Sequence, residues 1–275
     1  MFAEKEVSSL GEFIDLVTPT ERDPVSGRYR DSTVYRGAPH PEYKLLTGLD
    51  RLGGITPPHT KQHLEEHVLR NFLRYAKPFL SATANTWEVM VMAQHHGLPT
   101  RLLDWTYSPM IAAHFATLRE TGNQDRVIWK LDWKRVHERF GLKPLAFLVS
   151  DLDEALTQKG CRSAEALYDR DADEDPFVCM LEPPALDARI LAQSAAFTLC
   201  STKSRSLDEV LVEHGLADCL KRYIIPARLV SRFRDQLDLC TMTERRLFPD
   251  LDGIAAEIRR YYSATPLTET EPEEP

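Results

Sequence analysis

The chain has 275 residues, 43% hydrophobic and 28% charged, a composition that excludes wholesale disorder. A formal net charge of −8 argues against a protein that coats nucleic acid non-specifically. That charge is local: the last eleven residues carry four Glu, Asp169–Asp175 carries a net −4, and the remainder is balanced.

The opening residues, MFAEKEVSSLGEF, lack a basic stretch followed by an apolar one, so no signal peptide is expected. No window approaches about 18 consecutive apolar residues, so no membrane contact is expected either. Five cysteines, odd in number and without a CxxC, fit reduced thiols and a cytoplasmic setting.

In chain order, a short helix is predicted at Ser9–Val17 and a strand at Val34–Gly37. A helix should start near Thr60 with Leu64, Val68 and Phe72 at helical spacing, and a second should cover Thr86–His95 before Gly97 and Pro99 stop it. Pro109–Leu118 reads as a buried helix with Ser108 as N-cap. Strands are predicted at Arg126–Leu131, Phe177–Leu181, Ala195–Leu199 and Lys221–Ile225, and Trp129 and Trp133, flanking Lys130–Asp132, are read as strand residues. Helices at Arg228–Gln236 and Leu251–Tyr261 close the pattern, and the acidic run 169–175 reads as a loop. The fold class is therefore α+β, one mixed domain over residues 1–264 with small central β-sheet structure and flanking helices, and an acidic disordered tail over 265–275.

The densest polar stretch is AQHHGLPTRLLDWTYSPMIAAHF, residues 93–115. It crowds Gln94, His95, His96, Arg101, Asp104, Thr106 and Ser108 between two apolar helices, where such groups must bond one another, the backbone or a ligand. As a plain corner, Arg101 would pair with Asp104, and Thr106 and Ser108 would cap the next helix. As a site, the Gly-Leu-Pro-Thr turn would preorganise it.

VYRG (Val34–Gly37) together with QHHGLPTRLLDWTYSPMIAAHFA (Gln94–Ala116) resembles the FRG domain, named for a Phe-Arg-Gly motif, with Tyr35 standing for the Phe. RILAQSAAFTL (Arg189–Leu199) and RLFPDLDGIA (Arg246–Ala255) resemble its distal part. A looser resemblance is to ADP-ribosyltransferase-like domains, with Arg36 at the end of an early strand and Asp104–Ser108 leading into a helix. That resemblance implies NAD as substrate, no metal, and transfer of ADP-ribose to a protein or nucleic-acid acceptor, or NAD cleavage, in a toxin or anti-phage setting. It implies a nucleotide site made of Arg36, Gly37, Gln94, Arg101, Asp104 and Thr106, with Arg36 as phosphate clamp. His95, His96 and Gln193 are the catalytic candidates, one histidine serving as hydrogen-bonding or acid/base residue. Gln193 falls on the aligned late strand where a Glu is expected, and Glu182 and Glu209 lie nearby in sequence. This leaves open whether the carboxylate comes from elsewhere, the chemistry differs, or the chain only binds.

Two other readings compete. Lys221, Arg222, Arg228, Arg232 and Arg234, interleaved with Tyr223 and Phe233, could face nucleic acid or protein in a non-catalytic interaction module. His59, His63 and His67 recur every four residues, and HLEEH formally matches an inverted zinc-hydrolase pattern, although a solvated helix face explains it as well.

Overall fold

Near-continuous apolar runs such as RVIWKL and VCML leave no polar face, so strands built from them must be covered on both sides. The computed structural model describes residues 2–53, 58, 60–118, 123–161, 163–164, 166–169, 176–185, 187–202 and 205–263. Its strands are β1 (Ala3–Glu6), β2 (Thr33–Ala38), β3 (Leu102–Thr106), β4 (Arg126–Asp132), β5 (Phe147–Leu148), β6 (Val178–Glu182), β7 (Ala195–Cys200) and β8 (Leu220–Ile225). They form one eight-stranded mixed sheet in the order β1-β8-β4-β2-β3-β7-β6-β5. The edge pairs β1–β8 and β5–β6 are parallel and the other neighbours antiparallel.

The first helices are α1 (Leu10–Val17), α2 (Gly48–Arg51), α3 (Lys61–Ala76), α4 (Thr86–His95) and α5 (Pro109–Thr117). Then come α6 (Trp133–Arg139), α7 (Leu152–Thr157), α8 (Ala166–Asp169), α9 (Ala188–Ala192) and α10 (Leu207–Glu213). The chain continues through α11 (Val230–Leu239), α12 (Glu244–Leu247) and α13 (Leu251–Tyr262). Alternation along β4 divides the core: Val127, Trp129 and Leu131 join Trp87 and Trp105 in one cluster, whereas Ile128 joins Tyr35, Tyr223, Phe13 and Phe233 in the other. The mixed α+β class is thus the observed one, and among the described residues no helix is long and apolar enough to cross a membrane.

The middle of the sheet is thin. β2 and β3 share a single register pair, Tyr35 with Thr106, while β2–β4 and β3–β7 pair along their lengths. Two well-knit halves therefore meet at one point and part beyond it. Gly37 lies on the diverging side because α5 crosses there: a Cβ on Gly37 would sit 2.0 Å from the Ala112 carbonyl oxygen and 2.4 Å from the Ala116 nitrogen. The small residues Ala112, Ala113 and Ala116 complete that close helix–strand approach.

Several elements depart from the sequence reading. Trp133 begins α6 instead of extending β4, with Asp132 as N-cap accepting from the Arg135 amide. α3 buries Glu65, Leu69 and Ala76 most deeply, with Leu64, Val68 and Phe72 half-buried, because Glu65 turns inward to meet Arg101. α11 starts at Val230, after a 3-10 turn over Ala227–Leu229. The acidic run from residue 170 to 175 and the tail from residue 264 onward lie outside the described residues.

Candidate functional site

Residues 94–106 fold as two caps around a turn. α4 opens on an Asn85–Glu88 capping box and stops at His95, and Gly97 follows with φ +85, a left-handed conformation that favours glycine. Thr100 Oγ1 then donates to Gln94 Oε1 at 2.7 Å. Since that oxygen accepts, the amide NH2 must face the other way, and it donates to both Asp104 carboxylate oxygens at 3.1 and 3.0 Å. From β2, Arg36 Nη1 donates to the Asp104 carbonyl at 2.7 Å and lies 3.4 Å from its carboxylate. The backbone acceptor that strand pairing would satisfy is thus served by the guanidinium.

A cavity of about 370 Å³ occupies the parting of the strands. Arg36, Gly37, Gln94, His95, Asp104, Thr106 and Gln193 all line it, and Tyr35, Trp105, Phe115, Phe197 and Phe248 supply aromatic wall. Asp104 is the carboxylate of this lining, and half of its side chain is exposed (51%). Glu182 lies outside the lining and accepts from the Tyr107 hydroxyl at 2.6 Å. Glu209 lies outside it too, held down at about 2 by the Lys44 ammonium and the Ser206 amide.

The predicted residues do different jobs within this frame. The His95 side chain is 4% exposed, its Nε2 3.2 Å from Asp187 Oδ1; desolvation lowers its pKa, outweighing Asp187, so the ring is neutral near pH 7. His96 is outside the cavity lining, half exposed, with Nε2 3.8 Å from Asp187 Oδ2. Thr106 Oγ1 donates to the Gln193 carbonyl at 2.8 Å and accepts from the Ser108 amide, so its proton is committed to the backbone. Ser108 caps α5 as expected, accepting from Ile111.

Gln193 is not on a strand. It is the C-cap of α9, and β7 begins two residues later, after Ser194 takes a left-handed turn at φ 45. Its Nε2 donates to the Leu247 carbonyl at 3.0 Å, which leaves Oε1 for a ligand.

Arg101 points away from the cavity. It forms a buried ion pair with Glu65, with Nε 2.8 Å from Oε2, and Nη1 donates to the Ala164 carbonyl at 2.8 Å. Asp104 therefore pairs with Arg36 and Gln94, not with Arg101, because Leu102 and Leu103 carry the chain between them along β3.

The lining also holds residues that sequence reasoning missed. Arg189, from α9, stacks its guanidinium over the Phe248 ring at 4.9 Å and has no carboxylate partner among the described residues. Phe248 follows α12 directly. Both lie within the distal segments that resemble the FRG domain, and that placement is the signal that could have found them.

The basic segment does not form one face. Arg234 is 1% exposed and pairs with Glu244, Arg222 pairs with Glu4 and stacks over Trp129, and Arg228 reaches Glu6. Lys221 and Arg232 are exposed. His63 caps its own helix through Thr60, His67 is solvent-exposed, and His59 lies outside the described residues. No group of three or more His, Cys, Asp or Glu among the described residues could hold a metal ion. All five cysteines are free thiols.

The architecture is a mixed α+β fold whose central sheet parts around an arginine-tied, aromatic-walled cleft. Residues 31–125 match the family model of the FRG domain, and the chain carries that domain. The matched span ends where β4 begins, so Arg189, Gln193, Phe197 and Phe248 complete the cleft from outside it. No curated protein and no solved structure matches the chain.

Proposed function

We propose that the cleft binds NAD or a related nucleotide and breaks its bond to nicotinamide, passing ADP-ribose to water or to a macromolecular acceptor. The observation that carries this reading is the convergence of Arg36, Gln94, His95, Asp104 and Gln193 on one aromatic-walled cavity of about 370 Å³. Aromatic rings suit the flat faces of a base or nicotinamide, and cavities of roughly 300–1,000 Å³ suit small ligands.

In this scheme the C1′–N bond breaks and its electron pair leaves on nicotinamide. The Asp104 carboxylate, fixed by Gln94 and Arg36, stabilises the positive charge that develops on the ribose. Asp104 thereby takes the place of the Glu absent from the Gln193 position. The acceptor oxygen bonds to C1′, and its proton passes to His95, which burial keeps neutral and able to accept. Asp187, 3.2 Å away, favours the imidazolium once formed. Arg36 keeps Nε and Nη2 for a phosphate or ribose oxygen, since its bonds to Asp104 all use Nη1.

An interaction module built on residues 221–234 has less support, because Arg222, Arg228 and Arg234 are engaged with Glu4, Glu6 and Glu244. The test is calorimetric titration with NAD, followed by chromatography for free nicotinamide. Binding with nicotinamide release is expected, and neither binding nor release at millimolar NAD overturns the reading.

A further inference from the structure

Beside the cleft lies a second cavity, of about 510 Å³, enclosed by α11, α12 and α13. Leu118, Arg189 and Phe248 line both, so the two cavities adjoin along a wall made of these three side chains. The second lining is rich in guanidinium: Arg189, Arg234, Arg259 and Arg260. Two of these are spoken for, Arg234 by Glu244 and Arg260 by Asp235 and Asp238. Arg189 and Arg259 have no carboxylate partner among the described residues. The acids of the lining are Glu244, which is paired, and Asp250 and Asp252. Asp250 is committed to capping α13, accepting from the Gly253 amide at 2.8 Å, and Asp252 sits in the first turn, where helix amides stabilise it.

Arg189 is the anomaly. Its Nε is buried and makes no hydrogen bond, although guanidinium N–H groups are costly to leave unmade. Its plane is fixed against Phe248, and its charge reaches His95, whose pKa it helps to lower. A half-buried, ring-stacked, unpaired guanidinium at the junction of two cavities is arranged to receive an anion.

We infer that Arg189 is an anion clamp, and that the ligand is a phosphate ester spanning both cavities. Its base and sugar lie in the aromatic cleft, and its phosphates pass Phe248 to Arg189 and Arg259. The sugar and base rest on the nucleotide reading above; the anion clamp does not.

The experiment uses the full chain, with Trp105 in the cleft wall as fluorescent reporter and calorimetry as a second readout. Inorganic pyrophosphate, NAD and nicotinamide riboside are titrated into wild type, Arg189→Gln and Arg259→Gln. Arg189→Gln is expected to weaken pyrophosphate and NAD by at least about tenfold, as loss of a charge-assisted bond predicts, and to leave nicotinamide riboside unchanged. Unchanged pyrophosphate and NAD affinity in a folded Arg189→Gln protein overturns the clamp while leaving the nucleotide reading in place. Arg189-dependent pyrophosphate binding without any binding of NAD or nicotinamide riboside upholds the clamp and removes the nucleotide reading. Arg259 stands on an exposed face of α13, so its variant folds regardless. If Arg189→Gln fails to fold, wild-type pyrophosphate affinity in Arg259→Gln overturns the proposal.

Discussion

Arg36 and Asp104 meet across the point where β2 and β3 part, with Nη1 donating to the Asp104 carbonyl at 2.7 Å. The contact joins the two halves of the sheet and at the same time aims the Asp104 carboxylate into the cleft. Its worth to stability is small, since half of the carboxylate is exposed, and pairs of that kind contribute about 0–1 kcal/mol. Its worth to chemistry is the fixed negative charge. Asp104→Asn keeps the shape and the carbonyl acceptor but removes that charge. Nicotinamide release should fall by about 100- to 1,000-fold while the urea midpoint barely moves. A variant with wild-type turnover would remove Asp104 from the chemistry.

Gly37 makes the opposite prediction. A Cβ at this position would stand 2.0 Å from a backbone atom of Ala112 and 2.4 Å from one of Ala116, and backbone cannot rotate away as a side chain does. Gly37→Ala should force α5 off β2 and cost about 1–3 kcal/mol or more, read from urea denaturation. The glycine of the VYRG motif is thus required by packing, although it also borders the cleft.

What the sequence revealed follows where the physics is local. The β4, β6, β7 and β8 strands come from apolar runs, α4 from the stop at Gly97 and Pro99, and α5 from its Ser108 cap. β1, AEKE, is polar and exposed throughout, so no pattern betrays it; pairing with β8 alone orders it. Likewise Gln94, His95 and Asp104 are legible as one crowded stretch, whereas Arg189 and Phe248 reach the cleft only through topology. The misassigned partner of Arg101 has the same cause, because Glu65 lies 36 residues upstream on α3.

That pair carries its own test. Arg101 and Glu65 are both buried, and each is the other's main compensation. Removing one leaves an uncompensated buried charge, which typically costs about 3–5 kcal/mol, whereas replacing both with apolar residues is often neutral. Glu65→Ala alone should lower the midpoint strongly, and the Glu65→Leu/Arg101→Met double variant should recover most of it. Ligand affinity of the double variant should match wild type. A large specific loss of NAD binding would instead return Arg101 to the ligand site.

Acid should destabilise the fold through its buried histidines. His114 is fully buried on α5, its Nδ1 2.8 Å from Arg234 Nη1 and 2.9 Å from the Met242 carbonyl oxygen, so the ring sits against a guanidinium that disfavours a second positive charge. Burial, and then Arg234, push its pKa from 6.5 to about 3. His137 is held neutral by the same burial, its Nε2 accepting from the Met180 amide. In the unfolded chain these rings protonate first. The contribution of His114 to stability is therefore complete above about pH 6.5 and is lost progressively as pH falls towards about 3, and His137 acts in the same direction. Each proton taken up only on unfolding adds a slope of about 1.4 kcal/mol per pH unit within that window. Urea unfolding free energies measured from about pH 7 to about pH 4 should decline accordingly. His114→Asn, which keeps a polar amide beside Arg234 and Met242 but cannot titrate, should flatten that decline by about one proton's slope. Parallel wild-type and variant profiles would show that His114 does not drive the acid loss.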